Sequence, residues 1–233
     1  MHAPAEDSSR RMQRGKGAPA MKVSRAIVAV FLLCSAGPAP AQNPGAEEQE
    51  KTYTLEESIQ RHDDLIRQVE ETIIPAARTM LAAALYDKAR TWQRANRLQE
   101  AVATYDDLLR QFQHSSFDDH RRIVANTLIN RGVAVSKLGR VEEALAGFDE
   151  VLNIFAERSD GEARQGITLA LYNKACGFAL LGNVSLAIEN LSLWQERIGG
   201  FDCAKIDNDS DFNKIRSDPT FYEYMKTNSC TAF

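Results

Sequence analysis

The strongest constraint on this chain is that it repeats itself. Leu138-Gly139-Arg140-Val141-Glu142-Glu143-Ala144 lies over Leu181-Gly182-Asn183-Val184-Ser185-Leu186-Ala187 at an offset of 43 residues, and one step back places Ala101 under Ala144. The same offset aligns Leu85, Leu128 and Leu171; Ala89, Gly132 and Ala175; Tyr105, Phe148 and Leu191; and Phe112, Phe155 and Ile198. A further step sets Ser58 under Ala101 and His62-Asp63-Asp64-Leu65-Ile66-Arg67 under Tyr105-Asp106-Asp107-Leu108-Leu109-Arg110. Three full units therefore follow a half-unit. A fixed period of this size means stacked copies of one small supersecondary unit.

Each unit reads as two amphipathic helices. In the second unit Ile123, Leu128, Val135 and Leu138 mark the first helix, and Gly139 ends it. Ala144, Phe148, Val151, Leu152 and Phe155 mark the second at helical spacing. Thr54 with Glu57 forms a capping box that opens the half-unit helix. The small residues Ala89, Gly132 and Ala175 fall in mid-helix, where a glycine is tolerable if two helices approach closely. Composition agrees: 13 Gly and 7 Pro in 233 residues are few for a many-turned β-fold.

The pattern resembles the tetratricopeptide repeat family. The resemblance rests on Asn130, Gly132, Leu138, Gly139, Glu143, Ala144 and Phe148, and in the next unit on Tyr172, Asn173, Ala175, Leu181, Gly182 and Ala187. It implies an all-α helix-turn-helix solenoid of about three and a half units over 54–198, with residues 199–233 as a C-terminal cap. Two departures stand out. The family period is about 34 residues, and the proline that closes each unit is missing. The longer period predicts longer helices or longer loops at His114–Asp119 and Glu157–Gly161.

The first 41 residues differ in kind. Six basic side chains (Arg10, Arg11, Arg14, Lys16, Lys22 and Arg25) precede the apolar run Ala26–Leu33, and small residues then lead to Ala39-Pro40-Ala41. A basic region, a short apolar core and an A-x-A site predict a secretory signal peptide cleaved after Ala41. The apolar run is far shorter than the ~20 residues of a membrane span. Met21 opens a signal of ordinary length, so residues 1–20 are either an over-extended start or a long basic region. Gln13 after Arg10-Arg11 argues against a twin-arginine signal, and Leu33 before Cys34 argues against a lipoprotein. Residues 42–53 read as a linker. The expected location is periplasmic or secreted, without membrane insertion after cleavage.

Removing 1–41 takes the formal net charge from −4 to −8, which excludes the basic footprint of a nucleic-acid binder. Export permits a disulfide. Cys203 and Cys230 flank the cap and are its candidate pair; Cys176, between Ala175 and Gly177, reads as a small buried thiol.

Catalytic motifs are absent: no G-x-S-x-G, Walker or Rossmann glycine set occurs. Asp207-Asn208-Asp209-Ser210-Asp211 opens like a calcium loop, but Phe212 stands where the turn needs glycine, leaving a helix-capping acidic turn. His114 and His120 lack zinc-ligand spacing and read as part of a solvated loop, and His62 as a packing residue. No cofactor or metal site is expected. Lys88, Arg131 and Lys174 form a basic column at the 43-residue offset, with Asp63, Asp106 and Asp149 each 25 residues earlier. This column is either a ladder that grips acidic groups of a partner or one structural ion pair per unit.

The resemblance places the ligand groove on the first helices. Carried over, it names Tyr86, Asp87, Arg90, Gln93, Asn130, Val133, Ser136, Asn173 and Cys176, with Tyr86 and Tyr172 as aromatic anchors and Arg131 and Lys174 from the column as binding candidates. The expected function is non-catalytic binding of a partner protein or peptide. The rival is an envelope hydrolase or carbohydrate-active accessory with a site in the inter-unit loops. A subunit that stacks end to end is disfavoured by the cap, and nothing indicates a homo-oligomer.

Overall fold

A computed structural model describes residues 53–70, 75–115 and 117–230. The expected signal peptide and nearly all of the linker lie outside these residues. The described residues form one compact unit. Among the described residues there are nine α-helices and one 3-10 turn. Helix α1 (Leu55–Glu70) is the half-unit. Then come the hairpins α2 (Pro75–Arg94) with α3 (Leu98–Phe112), α4 (Asp118–Lys137) with α5 (Val141–Ile154), and α6 (Gly161–Leu181) with α7 (Val184–Ile198). The cap is α8 (Cys203–Asp207), the 3-10 turn Ser210–Phe212 and α9 (Pro219–Thr227).

The long period has a simple origin. The first helices are 20, 20 and 21 residues and the second ones 15, 14 and 15, so the helices alone fill the usual repeat length. Turns inside the hairpins stay short because each is made at one left-handed residue: Asn96 (φ 59°), Gly139 (φ 82°) and Gly182 (φ 79°), which are 43 apart. Glycine fits there without strain, and asparagine is the side chain best able to replace it. The α1 capping box is formed: Thr54 N–H donates to Glu57 Oε2 (2.9 Å) and Glu57 N–H to Thr54 Oγ1 (3.2 Å).

The hairpins close on the small-residue column. A Cβ added to Gly132 would stand 2.4 Å from Phe148 Cε1, so the ring requires a glycine opposite it. Ala89 packs with Ala101 and Tyr105 in the first hairpin. Between units, Gly166 is under the same limit, since a methyl group on its Cα would stand 2.3 Å from Phe155 Cε2. Each first helix touches the first helix of the next unit, while consecutive second helices make no comparable contact among the described residues. That asymmetry curves the array, with the first helices on the inner side. The result is an all-α, tetratricopeptide-like helical-repeat solenoid.

The cap closes the end of the array. Ile206, Phe212, Ile215, Phe221 and Met225 are all buried. Asp218 accepts from Thr220 and Phe221 N–H, with Pro219 opening α9. Arg216 Nη2 donates to the carbonyls of Ile206 (3.0 Å), Asp207 (2.6 Å) and Asp209 (2.9 Å), tying the turn together. A Cys203–Cys230 disulfide joins the start of α8 to the segment after α9.

Candidate interaction surface

The inner face is made by α2, α4 and α6, and positions 43 apart line up across it. Asp87 is exposed, and Asn130 and Asn173 are half-buried. One turn earlier stand Ala83, Asn126 and Leu169, the last 41% exposed, which is high for a leucine in a packed array. Tyr86, Arg90 and Asn130 come together: Asn130 Nδ2 donates to Tyr86 Oη (2.8 Å) and to the Asn126 carbonyl (3.0 Å), and the Arg90 guanidinium lies 5.5 Å from the Tyr86 ring centre. Burial raises the Tyr86 hydroxyl pKa, so it stays a neutral hydrogen-bonding group. Asn173 Nδ2 donates to the Leu169 carbonyl (2.8 Å).

Tyr172 does not join this face. It is 7% exposed, its hydroxyl donates to Asp209 Oδ2 (2.8 Å), and its ring packs on Trp194 and Phe212. Cys176, expected in the groove, is buried 3.6 Å from the same Asp209 oxygen. Burial, then Asp209 and Asp211, push the thiol pKa far up, which leaves it unreactive. The cap thus occupies the groove at the third unit. Asp209 also accepts from Asp211 N–H, so the acidic segment is a capped turn with Phe212 fully buried behind it.

Arg131 and Lys174 point to the second helices. Lys88–Asp63, Arg131–Asp106 and Lys174–Asp149 are ion pairs of 2.5 Å, each linking a first helix to the second helix of the preceding unit. Of the two readings of the column, the geometry has the ion pair. Arg131 also pairs with Glu143 at 2.5 Å. Burial opposes its charge, but the hydrogen bonds to Asp106 and Glu143 outweigh burial and hold the guanidinium pKa above its usual value.

His120 overturns the loop reading. It lies in the first turn of α4, 2% exposed, with Nδ1 2.6 Å from Ser115 Oγ and Nε2 3.1 Å from Thr79 Oγ1, between the rings of Phe112 and Phe117. A serine–histidine contact supplies two of the three members of a catalytic triad. Here the second ring nitrogen meets a hydroxyl where a triad places a carboxylate, and the imidazole is closed to solvent. The sequence signal for its place in a helix was Asp118-Asp119, acidic residues that suit a first turn.

Among the described residues, no helix is long and apolar enough to cross a membrane. No family model and no curated protein matches the chain. Among solved structures, the C-terminal TPR-containing domain of a Plasmodium falciparum FK506-binding protein is similar at 18% identity. The match covers 75% of this chain and 93% of that one, with a TM-score of 0.40.

Proposed function

We propose that this protein is an exported, non-catalytic interaction module that binds a partner protein or peptide on the face formed by α2, α4 and α6. One observation carries the reading: Asp87, Asn130 and Asn173 follow one another at the unit spacing, with exposed Leu169 one turn before Asn173, on a face where the first helices already touch. Amide and carboxylate groups in register with an apolar contact suit an extended polypeptide, whose backbone offers donors and acceptors at regular intervals. The site spans the first two units and reaches Leu169 and Asn173 in the middle of α6, where the cap covers the neighbouring Tyr172 and Cys176. The N-terminal pattern supports export to the periplasm or medium, where the Cys203–Cys230 bridge persists.

The test is cross-linked capture from envelope extract, comparing the wild type with a Leu169→Glu/Asn173→Arg variant of equal helicity. Loss of one specific partner by the variant supports the reading. Equal recovery by both places binding off this face. N-terminal sequencing of protein from the envelope fraction reads export directly: a start at Gln42 is expected, and an intact Met1 or Met21 start in the cytosol overturns it.

A further inference from the structure

The second helices hold a separate feature. Because α3 and α5 stand apart, a cleft of about 440 Å³ opens between them, floored by Leu128 and Arg131 of α4. Its lining includes Gly147, in the middle of α5.

Gly147 has no packing reason to be glycine. The other helix-interior glycines are forced: added methyls at Gly132, Gly166 and Gly177 would stand 2.4, 2.3 and 2.9 Å from side-chain atoms. At Gly147 the only neighbour is the Leu128 carbonyl oxygen at 3.7 Å, an ordinary contact. Glycine is the poorest helix former after proline, and the same position in the flanking units holds Thr104 and Asn190. Glycine at 147 adds no side chain to the cleft wall.

The charges give the cleft a sign. Its two cations are engaged: Arg131 with Asp106 and Glu143, and Arg110 with Asp107 at 2.7 Å. Glu150 is exposed and makes no ion pair among the described residues. The uncommitted charge is therefore negative, beside an apolar floor of Leu109 and Leu128.

We propose that this cleft receives a lysine side chain of a partner polypeptide, its methylene stem over Gly147, Leu109 and Leu128 and its ammonium at Glu150. Long cationic side chains bury their stems and keep the head at a carboxylate. The site is independent of the face formed by the first helices, and either can fail alone.

The experiment is a TROSY titration of the full chain with N-acetyl-lysine methylamide, and with the norleucine analogue as the uncharged control. The expected result is millimolar binding, with the largest shifts at Ala146, Gly147 and Glu150 and at least a fivefold weaker response to norleucine. Glu150→Lys, a surface change, should abolish the response, and Gly147→Gln should block it by filling the space. Equal shifts with norleucine, shifts centred elsewhere, a stronger response to N-acetyl-aspartate methylamide, or no shift up to about 20 mM would each overturn the proposal.

Discussion

Gly132 and Phe148 are made for each other: the ring edge occupies the volume where a Cβ on residue 132 would be, 2.4 Å away. In the third unit the same pair of positions holds Ala175 and Leu191, a larger residue facing a smaller one. Gly132→Ala should therefore destabilise the protein by about 1–3 kcal/mol through overpacking. Phe148→Leu in the same chain should recover part of that loss, and a double-mutant cycle by urea unfolding reads the coupling. Additive effects would separate the two positions.

The Cys203–Cys230 bridge closes a loop of sequence separation 27. Replacing both cysteines by serine should cost roughly 3–4 kcal/mol in the chain-entropy account. The loss should fall on the cap first. Cys176 should then become reactive to a thiol reagent in the double variant and stay protected in the wild type, which mass spectrometry of alkylated protein distinguishes.

His120 makes stability pH-dependent. Burial lowers its pKa, and the Arg78 cation adds to that, against a smaller opposing pull from Asp119. The unfolded chain thus takes up the proton more readily than the folded one. Stability is full above the ordinary histidine pKa of about 6.5 and declines as pH falls below it. His62 is shifted in the same direction, also chiefly by burial. Urea midpoints from pH 7.5 to 5 should fall in the wild type, and less steeply in His120→Gln.

The three ion pairs should not be equal. Arg131 has two carboxylate partners and a side chain 16% exposed, whereas Lys174 has one partner, Asp149, that is 56% exposed. Arg131→Ala is expected to cost about 1–2 kcal/mol, since it removes two charge-assisted hydrogen bonds and leaves Asp106 without its cation, while Glu143 keeps Arg140. Lys174→Ala should stay within about 1 kcal/mol. Thermal unfolding of the two variants at equal ionic strength checks the order.

The repeat offset located the helices and two of the three hairpin turns, because helix periodicity and glycine at a left-handed position are both local signals. Asn96 was hidden by being the one non-glycine of its column. Orientation was less legible. A 43-residue offset says that Lys88, Arg131 and Lys174 share a column but not which side of the helix they face; the acids 25 residues earlier held that information. Tyr172 and Cys176 were misplaced for a different reason. The cap that covers them does not repeat, so no internal comparison exposes its docking. The cleft at Gly147 depends on the distance between two second helices, which no residue pattern encodes.

Asp209, which receives the Tyr172 hydroxyl and seals the Cys176 thiol, also settles the protein's oxidation chemistry. Among the described residues three cysteines, at 176, 203 and 230, allow three single bridges. Once the last helix pair has taken the C-terminal segment, the thiol at 176 is out of reach of oxidant and of its two rivals alike. Docking of this segment before oxidation would therefore leave Cys203 and Cys230 as the only pair of the three able to join, the bond the folded protein has.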